Sequence, residues 1–275
     1  MRDVLYSIKG PKTLLEMTWE DVAQALQETD MVLVVMGATE QHGPHLPLGT
    51  DTMQAVELCK RIVTQLAGDG IKAVISAPIP FGMSSYHMGF PGTITLRPTT
   101  YYELAMDVCR CLYTHGFRRF VFPLGHGGNY AMMQVIAQQL VDESDGAQAL
   151  VLNWLPSMAS EYPVLAKTDK PEGHAGGREI SRQLDTHPEL VQREGARAFY
   201  PEPGGEQAKP DHPLLGGGVF KPFGPARRYR KAFPYGFVGN PNLATAEIGG
   251  KLYQIGVDWI CEVIKREFGT SKEGS

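Results

Sequence analysis

The chain has 275 residues, 43% of them hydrophobic, and a formal net charge of −4. That length and composition suit one large α/β domain or two small ones with a substantial core, and leave disorder to the ends. A pI near 6.1 gives no basic footprint for nucleic acid or an anionic membrane surface. No apolar run approaches the roughly 18–20 residues of a membrane helix, and no basic-then-apolar leader opens the sequence, so the expected location is the cytoplasm. Cys59, Cys109, Cys111 and Cys261 lie in apolar helical patterns without paired C-x-x-C spacing. They read as reduced, mostly buried thiols.

Four apolar, β-branched runs, at residues 32–36, 73–77, 119–123 and 149–154, predict strands. Helical patterns fill the gaps: one from Asp51 to about Leu66, one opened by Thr99 and Thr100 and ending near His115, and one from Asn129 to about Asp142. Such alternation predicts a three-layer α/β/α sandwich around a central, mainly parallel sheet. From Ser157 to Pro241 the periodicity weakens, while Gly and Pro accumulate in PEPGG at 201–205, LLGGGVFKPFGP at 214–225 and FVGNPN at 237–242. Aromatic residues scattered between Phe199 and Phe237 make this an ordered excursion of about 199–240 within a single domain spanning 1–275. Arg227, Arg228, Arg230 and Lys231 cluster there and read as a solvated loop, with an anionic substrate or a subunit contact as the alternative. An amphipathic helix from Ala244 to about Phe268 closes the pattern.

The chemistry is concentrated behind the strands. Glu40, His42, His45 and Asp51 share one Gly/Pro-punctuated loop after the first strand, GHGGN at 125–129 follows the third, and HAGGRE occupies 174–179. A parallel sheet sends such loops to one edge. His42 and His126 each follow a strand and are flanked by residues that permit sharp backbone geometry, which marks them as ligands, whereas His45, His115, His187 and His212 read as surface or hydrogen-bonding histidines. Glu40, His42, Asp51, His126 and Glu179 together offer three carboxylates and two imidazoles. This set suits two divalent ions sharing a carboxylate, with Asp51 as the bridge, better than one closed structural zinc. The absence of thiolate points to Zn, Mn or Fe(II).

The strings EQHGPHLPLGTD at 40–51, FPGTITL at 90–96, GHGGN at 125–129, the H-A-G-x-x-E pattern at 174–179 and GNPNLATAEIG at 239–249 resemble the creatininase family of metal-dependent amidohydrolases. The resemblance implies a three-layer fold, a dinuclear centre held by Glu40, His42, Asp51 and His126, carbon–nitrogen bond hydrolysis in small cyclic or linear amides, and a homo-oligomer, commonly a hexamer. The creatinine-cleaving members carry a metal-binding Glu where this chain has Gly128, and Trp-Asp where it has Lys170 and Pro171. Glu179 is the natural replacement ligand, as in GHGGN-bearing relatives, and creatinine is not the expected substrate. Ile180 stands where the family usually has Thr.

The expected function is therefore hydrolysis of a small amide by a water shared between two metal ions, with His174 delivering a proton to the leaving group. Ser84, Tyr86 and His87 are expected to line the substrate pocket; Asn129 is read as a pocket residue or a helix cap. The alternatives are opening of a cyclic keto-polyol such as a keto-inositol by carbon–carbon hydrolysis, or a non-catalytic metal or small-molecule binding protein.

Overall fold

The computed structural model describes residues 10–170, 172–201 and 225–269. Four parallel strands, β1 (Met31–Leu33), β2 (Val74–Ile75), β3 (Arg119–Pro123) and β4 (Gln148–Leu152), form one sheet in the order β2-β1-β3-β4. Among the described residues eight α-helices accompany them: α1 (Trp19–Glu28), α2 (Thr50–Gly68), α3 (Pro98–Thr114), α4 (Tyr130–Glu143), α5 (Leu155–Ala166), α6 (Gly177–Thr186), α7 (Ala226–Ala232) and α8 (Ala246–Phe268). The chain leaves β1 toward β2 on one side and β3 toward β4 on the other. Right-handed crossovers then place α2 and α4 on opposite faces of the sheet. Helix α2 packs on α8 and α3 packs on α4, which completes the three-layer α/β/α arrangement that the alternating pattern predicts.

β1 sits inside the sheet, paired on both sides, and Met31 through Met36 are at most 1% exposed. A strand buried on both faces reads as a continuous apolar run, and MVLVVM is one. Regular pairing stops at Leu33, earlier than the run suggests, because the Val35 amide donates to the Ser76 hydroxyl at 2.9 Å rather than to a ladder carbonyl. Single bridges from Met36 to Ile79 and Leu124 carry the extended backbone on to the loop that follows.

The segment from Ser157 to Pro241 is richer in structure than its sequence pattern suggests. It contains most of α5, which has Pro163 inside it, together with the polar ten-residue α6 and the seven-residue α7. The basic cluster at 227–231 therefore lies on a short helix and not in a loop. Residues 202–224, which hold most of the Gly/Pro-rich excursion and His212, fall outside the described residues. Helix α8 is capped by Thr245, whose hydroxyl accepts from the Ile248 amide at 3.1 Å, and it crosses α5 and α6 through small residues. A Cβ at Gly256 would lie 2.2 Å from Trp154 Cε3. Cys59, Cys109 and Cys261 are buried as expected; Cys111 is exposed.

Candidate metal centre

The sheet reverses its winding between β1 and β3, and α/β sheets place ligands in the crevice outside the carboxyl ends of their strands at such a point. The loop after β1 brings Glu40 and His42 there, and the first turn of α2 brings Asp51. His126 comes from the loop after β3 and Glu179 from the first turn of α6. All five converge. His42 Nε2 lies 3.3 Å from Asp51 Oδ1 and 3.4 Å from Glu179 Oε2, and His126 Nδ1 lies 2.8 Å from Asp51 Oδ2. Glu40 Oε2 is 3.4 Å from His126 Nε2.

Hydrogen bonds to the backbone fix which imidazole nitrogen carries a lone pair. His42 Nδ1 donates to the Glu40 carbonyl at 2.9 Å, so Nε2 presents its lone pair to Asp51 and Glu179. His126 Nε2 donates to the Met83 carbonyl at 3.2 Å, so Nδ1 presents its lone pair to Asp51. Glu40 Oε2, His42 Nε2 and Asp51 Oδ2 are buried without a hydrogen-bond partner among the described residues. Lone pairs facing lone pairs in a dry site require a cation between them, and the donor set of imidazole and carboxylate fits a borderline divalent metal. One ligand atom each from Glu40, Asp51 and His126 lie within 4.8 Å of one another, and so do those from Glu40, His42 and His174.

Without a metal, protons must serve as that cation. Burial opposes charge on His42, but Asp51 first, then Glu179 and Glu40, push its pKa up to about 10. His126 rises to about 9 against burial through Glu40 and Asp51. Asp51 is held well below the carboxylate range: burial acts the other way and is outweighed by His42 and His126. Glu179 is lowered too, with His42 and His174 overcoming its burial.

The remaining residues brace this cluster. His87 Nδ1 accepts from the Gln41 side-chain amide at 2.8 Å, which leaves its Nε2 proton facing Glu40 Oε1 at 3.2 Å. Burial, followed by the neighbouring His174, His42 and His126, drives the His87 pKa down to about 2, so it is a neutral donor that orients Glu40. Gln41 also donates to the Gly236 carbonyl and accepts from the Gly43 amide. His174 Nε2 donates to the Gln41 carbonyl at 2.7 Å and lies 3.5 Å from Glu40 Oε1. Ser84 Oγ is 3.4 Å from His126 Nε2. Asn129 does not cap α4 through its side chain. Fully buried, it accepts from the Met83 amide and donates to the Gly37 carbonyl, tying together the loops after β1, β2 and β3.

Gly128 has a steric reason. A Cβ there would lie 2.2 Å from the Met83 carbonyl oxygen and 2.5 Å from His126 Nε2, so this backbone admits no side chain at that position. Glu179 reaches the cluster from another loop, held by the Ala175 amide at 3.0 Å. His45, expected as a surface or hydrogen-bonding residue, is instead buried edge-on against Phe237 at 4.4 Å, and burial lowers its pKa to about 4. His115 is exposed at the end of α3, as expected. Gln41 lies inside the EQHGPH string but has no role assigned from sequence, and Glu172 and Tyr229 lie in no motif, yet all three pack around the site. Glu172 accepts from the Gly177 and Asn240 amides and so joins the α6 turn to the 239–240 segment.

Buried carboxylates and imidazoles gathered at the switch point of a doubly wound parallel sheet give this α/β protein a candidate metal site where such folds place their ligands. The creatininase family model, described as creatinine amidohydrolase, matches residues 15–264. The chain belongs to the creatininase family and is a hydrolase. It is 30% identical over 237 residues to the mycofactocin precursor peptide peptidase of Mycolicibacterium smegmatis, covering 86% of this chain and 85% of that protein. It is 24% identical over 267 residues to the 3-dehydro-scyllo-inosose hydrolase of Thermotoga maritima, covering 90% and 81%. A solved manganese form of creatininase superposes with TM-score 0.74 at 22% identity, over 94% of this chain and 99% of that one, and a Zn–Zn form superposes with TM-score 0.73.

Proposed function

We propose that this protein is a dinuclear metal-dependent hydrolase that cleaves a carbon–nitrogen bond in a small cyclic or linear amide. One observation carries the reading: Asp51 divides its two oxygens between lone-pair nitrogens of His42 and His126. A carboxylate so placed serves two cations at once. His42 and Glu179 would hold one ion and His126 and Glu40 the other, with Asp51 shared between them. Two divalent ions, Zn, Mn or Fe, supply an acidified water and polarise the carbonyl when bound; the manganese and Zn–Zn forms of the creatininase structures support the first two.

The chain's own residues do the rest. His87 and Gln41 hold Glu40 in place, and Asn129 locks the three loops so that the ligand atoms are preorganised. Ser84 and Tyr86 line the substrate side. His174, fixed by the Gln41 carbonyl, carries a proton to the departing nitrogen. The protein works on a small molecule as a cytoplasmic homo-oligomer, in keeping with its buried free cysteines and the lack, among the described residues, of a helix long and apolar enough to cross a membrane.

The relative that hydrolyses 3-dehydro-scyllo-inosose favours one second reading, opening of a cyclic keto-polyol. Turnover separates the two. Chelator-stripped protein, reloaded with Zn or Mn, should hydrolyse members of a panel of amides and lactams and lose that activity on renewed stripping. Turnover of keto-inositols alone would move the assignment to carbon–carbon cleavage, and metal-independent amide hydrolysis would remove the proposed centre from the chemistry.

A further inference from the structure

Tyr229 lies at the outer end of a run of rings that begins inside the metal centre. The centroids of His42 and His174 are 4.5 Å apart and those of His174 and His87 are 4.4 Å apart; Tyr229 meets His87 edge-on at 4.7 Å. Phe233, one turn further along, packs against the Tyr229 ring at 4.7 Å. Arg230 lies 4.0 Å over the Phe90 ring, which clamps α7 onto the segment that carries His87. The tyrosine is thus held by its ring, and α7 is held by its neighbour.

The phenol stays protonated. Burial first, then the charges of Glu40 and Glu179, hold its pKa well above that of a free tyrosine. The run of rings sets Tyr229 beside the cluster that holds both carboxylates. Between the tyrosine and the cluster, Gln41 bonds His87 and the Gly236 carbonyl, His87 faces Glu40, and His174 bonds the Gln41 carbonyl. A carbonyl oxygen drawn to the loaded centre gains further stabilisation from a hydrogen-bond donor placed where negative charge builds. A neutral O–H provides one without adding another buried charge.

We propose that Tyr229 is a substrate-contacting residue whose phenol donates a hydrogen bond to the carbonyl oxygen of the bond being hydrolysed, while its ring closes the pocket on the α7 side. This rests on the reading of the centre as a hydrolase acting on a carbonyl. Tyr229→Phe retains the ring packing on His87 and Phe233 and removes only the donor, so a purely structural ring would leave ligand binding unmoved.

The test titrates acetohydroxamate, a small carbonyl-bearing metal ligand, calorimetrically into metal-loaded parent and variant proteins. Tyr229→Phe should keep the parent's metal content and melting temperature and bind the probe about tenfold more weakly, the scale of one hydrogen bond. On an amide substrate kcat should fall while KM moves little. Tyr229→Ala should weaken the probe at least as much. Equal probe affinity in parent and Tyr229→Phe overturns the proposal. So does loss of metal from Tyr229→Phe, which would place the residue in the metal shell. Failure of every amide to turn over counts against the amide reading alone, because the titration still decides the tyrosine.

Discussion

At the scale of single residues the account turns on lone pairs. Asp51→Ala removes the carboxylate that faces both imidazoles, so elemental analysis should find both metals lost or one weakly retained; two full equivalents would refute the bridge. Glu179→Gln keeps the shape and the contact to the Ala175 amide but removes a charge next to His42. Metal affinity should fall on the order of 10- to 100-fold, as measured by competition with a chromogenic chelator, together with activity. His174→Ala separates proton delivery from loop bracing. As a proton donor it should cost about 10²–10⁴ in kcat with metal content intact, and substrates with better leaving groups should suffer less. An equal loss across the leaving-group series, or loss of metal, would reassign His174 to the loop contact it makes with the Gln41 carbonyl.

At the scale of elements, the fold depends on how closely α8 approaches Trp154. Trp154 donates from Nε1 to the Leu124 carbonyl at 2.8 Å and stacks on Tyr253 of α8. Gly256 makes room for its ring, so Gly256→Ala should destabilise the fold by about 1–3 kcal/mol, read as a lower denaturation midpoint with little change in metal affinity per folded molecule. What the sequence made legible follows from the same packing. The strands and α2, α3, α4 and α8 bury broad apolar faces, and burial writes itself into periodicity. The polar α6, the Pro-containing α5 and the short α7 do not, which hides Tyr229 on α7, while Gln41 and Glu172 lie in loops where periodicity carries no signal. The convergence of Glu40, His42, Asp51, His126 and Glu179 is legible because the loops past the strand ends of a parallel sheet meet at one edge. His45 was misread because spacing cannot tell a ligand loop's buried packing histidine from an exposed one. Asn129 is ambiguous in the sequence because a helix cap and a loop tie use the same residue type.

At the scale of the whole molecule, the centre couples the fold to pH. In the metal-free protein His42 and His126 have pKa values raised to about 10 and about 9, above the value near 6.5 of an unfolded histidine. A raised pKa contributes stability that is fully present below about 6.5 and is lost as pH rises through the folded values. Between pH 7 and 10 the stripped protein should therefore melt at progressively lower temperature, while the loaded protein, whose imidazoles are already neutral ligands, should change less over the same range. A stripped protein whose melting temperature is flat or rises over that window would contradict the assigned charge states. Assembly is a second property at this scale. The family resemblance predicts a homo-oligomer, and light scattering at micromolar concentration should give a mass well above 30.2 kDa; a monomer would confine the function to a single chain.

The most direct test of the central claim is a crystal structure of the metal-loaded protein with anomalous diffraction recorded at the absorption edge of the bound metal. The account predicts two peaks on either side of the Asp51 carboxylate, one within coordination distance of His42 and Glu179 and the other within coordination distance of His126 and Glu40. A single peak, or two peaks that leave Asp51 uncoordinated, would contradict it.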